Sequence, residues 1–135
     1  MKKTMVAMAL VLASPAYADG ELNIYNWGNY TSPEMITKFE AETGIKVTIT
    51  DYDSNDTALA KIKAGGHGFD IVVPSGTYVP IFVGEGLLME SKPNEMENFK
   101  HMDPQWVDVE FDKGRNYTVP WQWGTVGVTV NTAIY

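Results

Sequence analysis

The sequence predicts an α/β domain built on an open, mostly parallel sheet. From Glu21 onwards, short apolar runs alternate with segments of helical periodicity, in the order strand, helix, strand, helix, strand. This order is typical of parallel strands joined by right-handed crossover helices. Neither an internal repeat nor a low-complexity linker interrupts residues 19–135, so we expect them to form a single domain.

The first strand and the first helix carry clear end signals. The segment ELNIYNW is predicted to be a strand that ends near Trp27. In the following segment, SPEMITKFEAETG, Ser32 is the expected N-cap, Pro33 occupies the first helical position and Gly44 follows the last turn. These residue types at these positions predict a helix between Pro33 and Gly44.

A second strand and a second helix follow. IKVTITDY alternates Ile45, Val47 and Ile49 with polar residues, which predicts a half-buried strand. SNDTALAKIKAGG then predicts a helix that is capped by Ser54 or Asn55 and stopped by the glycines.

The later segments are less regular. FDIVVPS is a short apolar run bounded by turn residues, which is typical of a strand buried on both faces. TYVPIFVGEGLL is a weaker helix prediction because Pro80 interrupts it, and residues 90–116 are predicted to be an irregular connection. The segment YTVPWQWGTVGVTVN is predicted to end in another strand, since three valines alternate with Gly and Thr: Val126, Val128 and Val130.

The amino-terminal segment has the pattern of an export signal. Lys2 and Lys3 precede an apolar run over residues 5–13, and Ala16-Tyr17-Ala18 has the small-x-small pattern of a cleavage site. This predicts a cleaved signal peptide over residues 1–18. The apolar run is too short to span a bilayer, so we expect an exported protein with no stable membrane insertion.

Composition excludes several kinds of function. Without the predicted signal peptide, eight basic residues stand against 17 acidic ones, a net charge of −9. Such an acidic chain is a poor partner for nucleic acid or anionic membranes and mildly favours cationic partners. The absence of cysteine excludes disulfides and thiol catalysis. No nucleophile–base pair or cluster of metal ligands is evident in the sequence, so we expect neither an enzyme nor a bound metal or cofactor.

Polar and aromatic residues follow two of the predicted strands. Trp27, Asn29 and Tyr30 come after the first strand, and Ser75 and Thr77 come after the third. If these two strands are neighbours, both loops open into one cleft at the carboxyl edge of the sheet, where ligands of open α/β folds bind. The aromatic faces would attract an ammonium group. The alternative is that the indole of Trp27 only covers the end of the strand against the first helix.

Several segments resemble a known family. LNIYNWGNYTSPEMITKFEAETGIKV, YDSND, FDIVVPS and YTVPWQWGTVGVTVN look like the N-terminal lobe of the polyamine-binding (spermidine/putrescine) substrate-binding proteins of bacterial ABC transporters. The motifs YNW-x-x-Y, ETGIKV, D-[IL]-VVPS and P-x-x-W-G-T occur in the same order and at similar spacing. The resemblance implies a type II periplasmic-binding-protein lobe, with helices on both faces of its sheet, in a chain that ends before a second lobe.

The resemblance also assigns roles to the residues of the cleft. Trp27 and Tyr30 resemble the family's aromatic wall, Ser75 its amine-contacting serine, and Thr77 a more variable position that lines the site. Asn29 stands where the family often has an acidic residue, so it supplies a hydrogen-bond acceptor without charge. The implied function is the capture of putrescine, spermidine or a similar organic cation in the periplasm and its delivery to an ABC transporter permease.

Two other functions remain open at this point. The first is a binding protein for another small solute, such as a carbohydrate, because aromatic platforms serve sugars equally well. The second is a truncated fragment that binds nothing and depends on association with another chain, because an exposed strand edge needs cover.

Three further features have simpler interpretations. DYDSND, residues 51–56, lacks the Gly and the Glu of a calcium-binding loop, so helix capping explains it better. His67 and His101 stand alone in polar turns and do not predict a metal site. Trp121 and Trp123 are expected to pack in the core and at a hinge rather than to contact ligand.

Overall fold

A computed structural model describes residues 20–134, so the predicted signal peptide lies outside the described residues. The chain forms a parallel sheet of three strands in the order β2-β1-β3. The strands are β1 (Gly20–Trp27), β2 (Ile45–Tyr52) and β3 (Ile71–Val72). The predicted α/β class, the parallel pairing and the position of the first strand beside the third are confirmed.

The crossover helices begin and end where the sequence signals place them. They are α1 (Pro33–Thr43) and α2 (Asn55–Lys63). Ser32 Oγ accepts a hydrogen bond from Met35 N at 3.2 Å, and Ser54, rather than Asn55, caps α2. Gly44 has a φ of 75°, which a residue with a side chain rarely adopts, and so ends α1.

Pro80 does not interrupt the third helix. A 3₁₀ turn over Gly76–Tyr78 leads directly into α3 (Val79–Gly84), which places Pro80 in the first turn. Backbone amides of a first turn have no partner within the helix, so proline is tolerated there.

The prediction that the third strand is buried on both faces is wrong. β3 has only two residues in register with β1, at Ile24–Ile71 and Tyr25–Val72. Ile71 is 43% exposed. Within the described part of the chain, no further strand pairs with β3, and it therefore has an open edge instead of a neighbour on each side.

The strand predicted around Val126, Val128 and Val130 is also not observed. Residues 119–130 have no regular secondary structure, and Val126 and Val128 are almost fully exposed. The alternation of β-branched residues favours a strand only where a neighbouring backbone can pair with it. None of residues 20–134 provides that pairing.

The hydrophobic core lies between the sheet and the helices α2 and α3. Tyr25 and Tyr52 of the sheet pack with Ala58, Ile62 and Phe82, all of them buried. The opposite helix contributes less, since α1 has no fully buried residue and the apolar side chains on it remain partly exposed. The core therefore reaches the carboxyl ends of β1 and β2, where both tyrosines lie.

A network of buried polar groups organises the irregular connection. Asp112 accepts hydrogen bonds from Tyr117 N and Thr118 N, at 3.2 and 2.8 Å. The side chain of Arg115, 2% exposed, donates to Trp106 O and to Thr118 Oγ1 at 2.8 Å each. Burial lowers the pKa of Arg115, and the nearby carboxylates partly offset that effect. The connection is irregular, as predicted: it contains an isolated bridge between Val109 and Asp112 and short 3₁₀ turns at Pro93–Glu95, Glu97–His101 and Pro104–Trp106.

Candidate ligand-binding site

An open cavity of about 580 Å³ lies at the carboxyl ends of β1 and β2. Its position follows from the register, which sets Trp27 beside Tyr52 and Asn26 beside Asp51. Four of the lining residues are aromatic, two are acidic, and a glycine and a threonine complete the lining: Tyr25, Trp27, Tyr30 and Tyr52, with Asp51, Asp53, Gly28 and Thr57.

The aromatic wall is held in place by hydrogen bonds to one carbonyl. Trp27 Nε1 donates to Val73 O at 2.9 Å, and the hydroxyl of Tyr52 donates to the same oxygen. The rings of Trp27 and Tyr52 lie 4.6 Å apart, and that of Tyr30 lies 6.3 Å from Trp27. The ends of β1 and β2 are thereby tied to the residue that follows β3.

Burial also fixes the protonation of Tyr52. Loss of solvent raises its pKa well above the ordinary value, and the neighbouring tyrosines raise it further. A tyrosine is already neutral at physiological pH, so the raised pKa extends the range over which the hydroxyl keeps its proton for Val73 O to higher pH.

A buried asparagine shapes the turn that follows β1. Asn26, 1% exposed, accepts a hydrogen bond from Trp27 N at 2.8 Å and donates one to Thr31 Oγ1 at 3.2 Å. Asn29 adopts a left-handed backbone with φ of 63°, which asparagine tolerates better than most residues. This local structure presents the rings of Trp27 and Tyr30 on the same side of the turn, next to the cavity.

The structure brings only two of the five predicted site residues into this cavity. Trp27 and Tyr30 line it, whereas Asn29, Ser75 and Thr77 do not. Thr77 is exposed within the 3₁₀ turn before α3. A ligand-binding role for each of the five stays a prediction.

Ser75 is held by the second helix. Its backbone amide donates to Asn55 Oδ1 at 2.9 Å, and its hydroxyl oxygen accepts from Asn55 Nδ2 at 3.0 Å. The hydroxyl is thus oriented by the start of α2.

Sequence reasoning missed the contribution of β2. Asp51, Tyr52 and Asp53 line the cavity, whereas the sequence patterns predict only the end of a strand and a helix cap in this segment. Ser54 does cap α2, so both interpretations of the segment hold. The available signal was position: β2 is parallel to β1, and its carboxyl end must reach the same edge of the sheet.

The two tryptophans near the carboxyl terminus are not core residues. Trp121 is 44% exposed and Trp123 is 73% exposed, so the prediction of core packing is wrong. Trp121 Nε1 and Gln122 Nε2 each donate to Tyr30 O at 3.2 Å. This segment consequently contacts the turn that carries the aromatic wall.

Residues 20–134 contain neither a metal-binding cluster nor a membrane-spanning helix. No group of three or more His, Asp or Glu side chains in this range is arranged to hold a metal ion. None of its helices is long and apolar enough to cross a membrane.

Comparison with known proteins assigns the family. Residues 34–135 match the bacterial extracellular solute-binding proteins. The chain belongs to this family. The resemblance stated from the sequence motifs is therefore confirmed, and a type II periplasmic-binding lobe is the fold of its relatives.

Among similar members is the spermidine/putrescine-binding periplasmic protein of Escherichia coli strain K12, which is 38% identical over 131 residues, covering 94% of this chain and 38% of that relative. A solved structure from Listeria monocytogenes has a TM-score of 0.73 and 44% identity, over 77% of this chain and 32% of the other. The substrate-binding protein PotD of the spermidine/putrescine ABC transporter of Streptococcus pneumoniae has a TM-score of 0.71 and 37% identity, over 75% of this chain and 31% of the other. The chain thus spans a little over a third of the length of the curated relatives it matches.

Proposed function

We propose that this protein binds a polyamine, putrescine or spermidine, in the periplasm and delivers it to an ABC transporter permease. The observation that carries the proposal is the cavity in which an aromatic wall and two carboxylates lie together. The names of the relatives support the same ligand class. We propose a binding role in which no bond is made or broken.

The chemistry of the cavity suits a linear polycation. Each ammonium group placed over an aromatic face contributes about 0.5–2 kcal/mol, and more when water is excluded. The methylene segments between the amines are apolar and can lie against Trp27 and Tyr30. A carboxylate beside one end of the polyamine neutralises the terminal ammonium there.

The cavity is open, so we propose that it is one side of the complete site. Well-formed ligand sites enclose about 70–90% of a small molecule. The family resemblance implies a second lobe that closes over the ligand, and closure would report occupancy to the permease. Affinity for the polyamine would then depend on both sides of the site, and the cavity lined by Trp27 and Tyr30 would supply the aromatic side.

Calorimetric titration of the full-length protein as the cell makes it tests this proposal. Putrescine and spermidine should release measurable heat and saturate at one ligand per protein. The uncharged analogue 1,4-butanediol should not bind, because it has the same chain length but lacks both charges. Binding of a neutral sugar such as maltose in place of the polyamines would support the carbohydrate alternative and contradict ours.

A pair of tryptophan variants locates the binding site. Trp27→Ala removes the centre of the aromatic wall and should weaken putrescine binding by roughly tenfold or more. Trp123→Ala removes an exposed tryptophan that lies 6.1 Å from Trp106 and does not line the cavity. It should leave affinity unchanged; equal affinity of the two variants would refute the assignment of the cavity.

A further inference from the structure

We propose that Asp51 and Asp53 form the anionic subsite for one terminal ammonium of the polyamine. The inference rests on the proposed function and adds to it the residues that would recognise charge. Neither residue is among those the family resemblance assigns to the ligand. Both line the same cavity as Trp27 and Tyr30.

The position of Asp51 is fixed by the sheet. It lies opposite Asn26 in the β1–β2 register, one residue before the Trp27–Tyr52 pair. Its carboxylate lies against the turn after β1, since a Cβ added to Gly28 would be 3.7 Å from Asp51 Oδ2. A cation that contacts the face of Trp27 is therefore within reach of this carboxylate.

Asp53 follows the end of β2, so the two acidic residues stand directly before and directly after the buried Tyr52 in the sequence. Both are exposed, whereas Tyr52 packs against Trp27 at 4.6 Å between ring centres. An ammonium bound here would meet negative charge on the β2 side and an aromatic face on the β1 side.

These two acids differ from others that serve the fold. Asp56 accepts a hydrogen bond from a tyrosine hydroxyl at 2.6 Å, and Asp70 accepts one from a backbone amide at 2.8 Å. Asp112 accepts from three backbone amides. In contrast, no side-chain hydrogen bond among residues 20–134 ends on the carboxylate of Asp51 or Asp53, and neither residue forms an ion pair there. Their charge is available to a ligand.

The subsite also accounts for Asn29. The family resemblance leads us to expect an acidic residue at that position, and Asn29 carries no charge. Asp51, near the end of β2, and Asp53, directly after it, instead place two carboxylates at the cavity that Trp27 and Tyr30 line. The lobe thereby retains an anionic partner for the cation.

The test is calorimetric titration of putrescine into full-length wild-type protein and into Asp51→Asn, Asp53→Asn and the double variant. Asparagine preserves shape and removes charge, and the exposure of both sites keeps the fold intact. Each single variant should bind about five- to tenfold more weakly, as expected for the loss of a charged partner, and the double variant more weakly still. Glu90→Gln, an equal loss of charge at an exposed residue outside the cavity, is the control and should bind as wild type does.

The possible results separate this inference from the proposed function. If wild type binds putrescine and both aspartate variants bind as tightly as Glu90→Gln, the subsite is wrong and the polyamine function stands. If wild type binds neither putrescine nor spermidine, the proposed function is wrong and the subsite falls with it. Melting temperatures of all variants, which should match wild type, exclude loss of the fold as the cause of weaker binding.

Discussion

Tyr52 belongs to the core and to the cavity at the same time. Its ring centre lies 4.8 Å from that of Tyr25, a core residue, and 4.6 Å from that of Trp27 in the aromatic wall. Its hydroxyl donates to Val73 O, which also accepts from the indole of Trp27. A single residue therefore connects the stability of the fold to the orientation of the aromatic wall.

The raised pKa of Tyr52 predicts a loss of stability at high pH. The unfolded chain releases this proton near pH 10.0, while the folded chain retains it to higher pH. Above pH 10 the unfolded state therefore binds fewer protons, and the free energy of unfolding falls as pH rises. The free energy of unfolding, measured by urea denaturation, should decrease less between pH 8 and pH 11 for Tyr52→Phe than for wild type.

Two observations complete that test. At pH 8, Tyr52→Phe should be less stable than wild type by about 0.5–1.5 kcal/mol, because one hydrogen bond to Val73 O is lost. Tyr117→Phe, which removes a tyrosine hydroxyl outside the cavity, is measured beside it as the matched control for the substitution itself. If Tyr52→Phe loses as much stability as wild type between the two pH values, Tyr52 does not carry the effect.

At the residue scale, the sequence predicts aromatic positions better than polar ones. Trp27 and Tyr30 follow a strand with strong local signals, so their place at the carboxyl edge was predictable. The orientation of Ser75 depends on Asn55, 20 residues away in sequence, and no local pattern encodes that contact. Asp51 and Asp53 were missed because the end of a strand and a helix cap account for the local pattern of their segment without a ligand.

At the element scale, Gly76 allows the loop after β3 to pack against the irregular connection. A Cβ at this position would lie 2.6 Å from Cε1 of Phe111, closer than side chains tolerate. The ring of Phe111 also has the guanidinium of Arg115 above it, 5.4 Å from its centre. The glycine is thus required by close packing at the start of the 3₁₀ turn.

Gly76→Ala should destabilise the protein by about 1–3 kcal/mol, since Phe111 must move to admit the methyl group. The matched control is Gly84→Ala at the end of α3, where nothing lies within 4 Å of an added Cβ. That change should be neutral or stabilise by up to about 1 kcal/mol. Thermal denaturation measures both, and equal melting temperatures for the two variants would contradict the packing described for Phe111.

Elements with local end signals were predicted well, and those that depend on distant partners were not. The first two strands and helices have caps, glycine stops or strict alternation, all of which act within a few residues. The burial of β3 and the pairing of Val126 depend instead on a neighbouring strand. Local sequence shows a capacity for pairing but does not show whether a partner is present.

At the scale of the whole molecule, the negative net charge of the protein matches the positive charge of the proposed ligand. The 135-residue chain has a formal net charge of −7, and its cavity holds two carboxylates without ion pairs among residues 20–134. An acidic protein attracts a polycation over distances set by ionic strength. Binding should therefore respond to salt in a way that the binding of a neutral solute would not.

Putrescine affinity should fall by roughly threefold or more between 50 mM and 500 mM NaCl, because screening shortens the range of charge attraction. Calorimetric titrations at several salt concentrations measure this slope. The Asp51→Asn, Asp53→Asn double variant should show a shallower slope than Glu90→Gln. If the affinity does not change with salt concentration, the charges of putrescine do not contribute to its recognition, which would contradict this prediction.

The most direct test of the account is a crystal structure of the full-length protein grown with saturating spermidine. We predict a single ligand at the carboxyl ends of β1 and β2, with one ammonium within about 6 Å of the ring centre of Trp27. The same ammonium should lie within hydrogen-bonding distance of Asp51 or Asp53. Spermidine bound elsewhere, or no bound spermidine at saturation, would contradict the proposed site.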